Sequence, residues 1–184
     1  MIDRLPGTTV EIAVPNAEVA KDILDNAFLC GGLMMSQVAR MTGLEPYMIQ
    51  NWVRRGFLSP PVKKTYSKRQ FCRIAIINML REILQIEKIT QLLSYVNGRL
   101  DDESDDIIDD SDLYLYYIAA VCSLERPVAD EEYVESHVER VVGNFAEPFP
   151  GAKKRIIKVL LVMINAHHAE ILRKRAQDIL ATLD

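Results

Sequence analysis

Ser36-Gln37-Val38-Ala39-Arg40-Met41-Thr42-Gly43-Leu44-Glu45-Pro46-Tyr47-Met48-Ile49-Gln50-Asn51-Trp52-Val53-Arg54-Arg55-Gly56 reads as two short helices joined by a tight turn. Ser36 suits the N-cap of the first, which carries Val38 and Ala39 and stops at Gly43. Pro46 suits the first position of the second, which ends at Gly56. Across 46–55 the apolar residues Ile49, Trp52 and Val53 fall on one side. Tyr47, Gln50, Asn51, Arg54 and Arg55 fall on the other. A helix with one buried face and one hydrogen-bonding face is the element that enters a major groove. Asn and Gln can each make paired contacts to adenine, and Arg pairs with guanine or phosphate. Trp52 shares a face with Ile49, so it is expected in the core rather than stacked on a base.

Phe57 to Tyr66 holds Pro60 and Pro61 and reads as an extended loop or small hairpin. Ser67 and Gln70 make a capping box for a long helix carrying Phe71, Ile74, Ile77 and Leu80. A shorter helix holds Ile89, Leu92, Leu93 and Val96, and Gly98 closes it. Upstream, Thr8 to Ile12 is β-prone, and Pro15 with Asn16 opens a helix reaching about Leu29. Leu100 to Asp112 contains eight acidic residues and is expected to be a solvated, mobile linker. It lacks the central Gly and terminal Glu of a calcium loop. The alternative is that it folds over the basic residues as a mimic of DNA. Three helical stretches follow, at 112–124, 130–145 and 152–183, separated by Pro127 and by Pro148, Pro150 and Gly151.

The 184 residues are 49% hydrophobic and 26% charged, which excludes wholesale disorder and a collagen-like chain. No basic start precedes an apolar run, so no signal peptide is expected. The apolar stretch from Ile156 to Ile164 is too short to span a bilayer. Three scattered cysteines make no disulfide framework and point to a reducing cytoplasm. The formal net charge of −4 conceals four blocks: −3 over 1–31, +8 over 32–99, −13 over 100–150 and +4 over 151–184. A basic block of that size in an acidic protein points to a polyanion-binding surface.

Residues 34–96 resemble the DNA-binding head of the MerR family of bacterial transcription regulators. The resemblance rests on the run from Ser36 to Gly43, on Met48 through Pro60, on Tyr66-Ser67 with its long helix, and on Ile86 to Leu93. Glu45 and Tyr47 stand where that family often has Ser or Thr and Arg. The segment between Pro60 and Tyr66 is shorter than its usual wing. The acidic run replaces the long dimerising helix that would follow directly. The overall layout resembles an uncharacterised family of Gram-positive bacterial proteins with a MerR-like head.

The expected class is all-α with a small β wing: a winged helix-turn-helix head and a C-terminal helical bundle. Its expected regions are a lead-in and helix at 1–32, the head at 33–99, an acidic linker at 100–112, and a helical effector and dimerisation region at 113–184. The expected function is sequence-specific binding of double-stranded DNA by a cytoplasmic transcriptional regulator. The rival is a protein-interaction or structural module that reuses the head. Tyr47, Gln50, Asn51 and Arg54 are the expected base readers. Arg40, Arg55, Lys63, Lys64, Tyr66, Lys68 and Arg69 are the expected phosphate contacts, although Tyr66 could instead pack against the wing. Arg73 lies in the same basic neighbourhood.

No phosphate-binding Gly loop, zinc spacing or paired nucleophile and base is present, so no catalysis, metal or cofactor is expected. His167 and His168 are adjacent on a helix and diverge by about 100°. The C-terminal helices leave room for an unidentified small-molecule effector, with Tyr114, Tyr116, Tyr117 and Tyr133 as lining. Helix 152–183 is apolar nearly all round to Ile164, then narrows to a stripe of Leu172, Ala176, Ile179 and Leu183. That pattern calls for cover and suggests a homodimer.

Overall fold

The computed structural model describes residues 2–100 and 102–183. The parts of the expected 1–32, 100–112 and 113–184 regions that fall on Met1, Asp101 and Asp184 lie outside them. The elements run β1 (Ile2–Arg4), β2 (Glu11–Val14), α1 (Ala17–Ala27), β3 (Leu33–Met34), α2 (Met35–Thr42), α3 (Pro46–Arg54), β4 (Thr65–Tyr66), α4 (Lys68–Leu80), α5 (Ile86–Asn97), α6 (Asp110–Cys122), α7 (Glu131–Val141) and α8 (Ala152–Leu180). The chain is mainly helical, with two small antiparallel sheets, β1–β2 and β3–β4.

The hub is α4. The capping box starts it: Gln70 N–H donates to Ser67 Oγ, and Ser67 N–H donates to Gln70 Oε1. Every residue from Gln70 to Ile77 is buried, and a helix buried all round must have neighbours on every side. They are α2, α5, α6 and α8. Head and C-terminal helices therefore share one hydrophobic core.

The N-terminal lead-in is more ordered than its sequence suggests. β1 and β2 form a hairpin whose Leu5 and Val14 are fully buried. Its loop lies against α4 so closely that a Cβ on Gly7 (φ +69°) would sit 1.9 Å from the Ala75 carbonyl oxygen. Asn78 Nδ2 donates to the carbonyls of Gly7 and Thr42, both at 2.9 Å, and the Tyr114 hydroxyl donates to the Pro6 carbonyl at 2.6 Å. Ser36 does not cap α2. Met34 is the N-cap residue, and its N–H donates to Gln37 Oε1, because β3 runs straight into the helix.

The acidic segment is not a solvated linker. Ile107 and Ile108 are 8% and 6% exposed, and the Ile107 N–H donates to the Val96 carbonyl at 2.7 Å. A short 3₁₀ turn at Glu103–Asp105 precedes them, and α6 begins at Asp110, within the acidic run. Two apolar anchors and a set of ion pairs to α4 outweigh the tendency of like charges to stay in water.

Most of the apolar stretch from Ile156 to Ile164 is buried within the chain, where α8 packs on α4, α5, α6 and α7, and Val162 is left 39% exposed. The part of α8 beyond Ile171 projects with little cover: Leu172, Ile179 and Leu180 are 64%, 56% and 65% exposed. Among the described residues, no helix is long and apolar enough to cross a membrane.

Candidate nucleic-acid interface

α3 divides its faces as its periodicity predicts. Ile49 is fully buried and Trp52 is 4% exposed, while Val53 is half-buried against the core. Pro46 occupies the first turn, and the helix ends at Arg54 with Arg55 as its C-cap, followed by Gly56 at a φ of +74°. Tyr47, Gln50 and Arg54 stand exposed on the outer face, and Asn51 sits half-buried beside them. The four expected base readers thus share one side of one helix.

β3 and β4 pair Leu33 with Tyr66 and Met34 with Thr65. The strand is prolonged by reciprocal bonds between Val62 and Thr65, which leave Lys63 and Lys64 as a two-residue loop. Both lysines have positive φ, 51° and 69°. That is the primed turn geometry suited to a twisted hairpin, and it normally favours Asn-Gly. Two lysines are held there at the tip, both exposed. The approach to the hairpin is fixed by Gln70, whose buried Nε2 donates to the carbonyls of Ser59 and Pro60 and to Ser59 Oγ, each at 3.0 Å. The capping box makes Gln70 visible in the sequence, but nothing local reveals its grip on a turn ten residues upstream.

The expected phosphate contacts separate into two groups. Arg40, in the last turn of α2, is exposed. Among the described residues, Arg40, Arg54, Lys63 and Lys64 make no ion pair, so their charge is uncompensated. The other group is already engaged. Arg55 pairs with Glu87 and lies over the Phe57 ring at 4.5 Å. Lys68 Nζ is 2.7 Å from Asp25 on α1. Arg69 is 19% exposed and pairs with Asp106, with Asp109 and Asp110 at 3.6 and 3.8 Å. Tyr66 is 1% exposed, and burial raises the pKa of its phenol. Its side chain packs in the core and offers no hydroxyl to a phosphate, so the sequence-based assignment of Tyr66 is corrected. Arg73 is buried too, donating to the Phe57 carbonyl at 3.0 Å and pairing with Asp110.

His167 contacts the Tyr117 hydroxyl through Nδ1, and His168 Nδ1 faces the Ile164 carbonyl at 3.0 Å. His137 Nε2 lies 3.0 Å from the Ala120 carbonyl. Among the described residues, no group of three or more His, Cys, Asp or Glu could hold a metal ion. Cys30 is exposed, Cys72 is buried and Cys122 is half-buried. Of the four tyrosines expected to line a pocket, Tyr114 and Tyr117 are fully buried and hydrogen-bonded inside the core. Tyr133 stacks on His137, and Tyr116 meets Phe145 edge-on beside a surface cavity.

Residues 28–117, just under half of the chain, match a family described as a domain of unknown function, DUF1836. The match crosses position 100 and takes in the acidic segment and the first half of α6. That agrees with a head and latch packed as one unit. No curated protein matches the chain, and no solved structure does.

Proposed function

We propose that the protein is a sequence-specific DNA-binding protein, a cytoplasmic bacterial transcriptional regulator whose head is of the MerR-like winged helix-turn-helix type. One observation carries this reading. The outer face of α3 holds Tyr47, Gln50, Asn51 and Arg54, while Arg40 on α2 and Lys63 and Lys64 at the hairpin tip are exposed, and among the described residues none of these cations is in an ion pair. On this reading α3 reads base edges, the hairpin tip and the end of α2 contact phosphates, and no catalytic step is involved. Arg69 and Lys68 serve the fold instead of the DNA.

The protein works as a homodimer through the exposed end of α8. Leu172, Ala176 and Ile179 recur there at intervals of four and three residues, a spacing that two copies can interlock, whereas Leu183, expected on the same stripe, lies beyond the end of the helix at Leu180. Two-fold regulators match two half-sites on DNA. Light scattering on the full chain should give twice the chain mass at micromolar concentration.

The rival reading, a protein-interaction module, is favoured by exposed apolar side chains on the same head. Met34, Tyr47 and Val62 are 55%, 68% and 70% exposed. Binding to selected and random duplexes across a salt series separates the two. DNA binding predicts a steep loss of affinity with salt, because each neutralised phosphate releases counterions. Asn51→Ala should cost about 1–3 kcal/mol on the preferred duplex and flatten discrimination at one position. If no duplex binds even at low salt, the interaction module is the better account.

A further inference from the structure

We propose that the surface cavity between the acidic segment and α6 is a binding site for a small amphipathic organic cation, an amine with an apolar or aromatic body. The cavity has a volume of about 670 Å³ and lies where the acidic segment, α6 and the loop after α7 meet. Small-molecule sites usually fall between roughly 300 and 1,000 Å³ and pair an apolar lining with a few polar groups. Ile107, Leu115, Tyr116 and Phe145 supply the apolar wall here. The Tyr116 and Phe145 rings meet edge-on, with centroids 6.4 Å apart, and present the aromatic surface that attracts an organic cation.

Charge selects the sign of the ligand. Asp106, Asp109 and Asp112 line the cavity against one cation, Arg69. Lys21 and Lys68 lie on the neighbouring α1 and α4, but both are tied to Asp25 at 2.7 Å. Asp106 is paired with Arg69 at the cavity wall. Its side chain is only 9% exposed, yet Oδ1 has no hydrogen-bond partner. A buried carboxylate oxygen left without a donor is costly, and such orphans are rare in folded chains. Burial raises the Asp106 pKa, with Arg69 opposing that effect. An ammonium group in the cavity adds positive charge beside Asp109 and Asp112, which line it with Asp106 against the single guanidinium of Arg69. Asp112, which makes no ion pair among the described residues, is the second carboxylate available to that ammonium.

The test uses the full chain and 4-phenylbutylamine as the probe, followed by calorimetry in the absence of DNA, so its outcome does not depend on the DNA-binding reading. The uncharged 4-phenylbutan-1-ol and the anionic 4-phenylbutyrate are the comparators. The amine should bind saturably, and the alcohol and the acid should bind about tenfold more weakly or not at all. Asp112→Asn removes a charge without breaking an ion pair and should weaken the amine about tenfold. Ala119→Trp places a large ring on the cavity wall and should abolish binding while the circular dichroism spectrum stays helical. No saturation at millimolar amine overturns the proposal. Equal affinity for amine and alcohol overturns it too, as does binding unchanged in both variants.

Discussion

Arg73 on α4 and Asp110 at the start of α6 form an ion pair, 3.2 Å from guanidinium nitrogen to carboxylate oxygen, with side chains only 4% and 1% exposed. Arg73 Nε also donates to the Phe57 carbonyl at the exit of α3. A single guanidinium thus ties the candidate reading helix to the hub helix and to the acidic segment. Desolvation raises the Asp110 pKa, and the attraction of Arg73 works against it.

Removing one partner of such a pair leaves a buried charge without compensation. Arg73→Met should therefore cost about 3–5 kcal/mol, while Arg73→Met combined with Asp110→Leu should recover much of that loss. Urea unfolding of the two single variants and the double variant measures the coupling. Additive losses would show that the two charges do not depend on each other.

The acidic segment should resist hydrogen exchange where it docks. The Ile107 amide is bonded to the Val96 carbonyl and its side chain is buried. Its exchange should be slowed well below that of exposed neighbours such as Ser104, and Ile107→Ser should remove that protection. Exchange at Ile107 as fast as at Ser104 in the wild type would mean a segment free in solution.

What was legible in the sequence was local. The two faces of α3, the Ser67 and Gln70 capping box and the stops at Gly43 and Gly98 all depend on residues within a few positions of one another, and all form. The hairpin of β1 and β2 escaped because three- and four-residue strands carry almost no periodicity. The docking of the acidic segment stood only as the alternative to a solvated linker, because its partners, Arg69 and Arg73, lie some 37 residues away and charge density argued for solvent. Ile107 and Ile108, adjacent and apolar inside that run, were the available signal. Arg69 shows the same limit from the other side: a basic residue on a basic block can belong to a carboxylate of its own chain.

His167 should make stability fall on mild acidification. Its pKa is lowered to about 4, first by desolvation and then by the neighbouring His168. Burial raises the Tyr117 pKa well above its usual value, so the phenol keeps its proton and can donate to an unprotonated Nδ1. The unfolded chain protonates this imidazole near pH 6.5, whereas the folded chain does not until about pH 4. The stabilisation is therefore complete above pH 6.5 and lost as pH falls towards 4, to a total of about 3 kcal/mol. Denaturation midpoints across that window should fall further for the wild type than for His167→Gln. Parallel curves would mean that the imidazole is not held neutral.

The hairpin tip should show function opposing stability. Lys63 and Lys64 both occupy left-handed backbone, where a side chain with a Cβ costs on the order of 1 kcal/mol or more per residue. Asn-Gly is the pair that this turn prefers, since both residues accept positive φ at little cost. Lys63→Asn with Lys64→Gly should therefore raise stability by about 1–2 kcal/mol, read from the urea midpoint. Neither lysine makes an ion pair among the described residues, so no salt bridge is lost to offset that gain. If the tip contacts phosphates, the same variant should bind every duplex more weakly, and its salt slope should become shallower by up to about 2. Sequence preference should persist, because Gln50 and Asn51 are untouched. A control, Lys63→Arg with Lys64→Arg, keeps both charge and strain and should leave stability and salt slope near the wild type. A variant that gains stability and binds DNA with an unchanged slope would remove the tip from the interface. A variant that gains no stability would show that the lysines sit in this turn without strain.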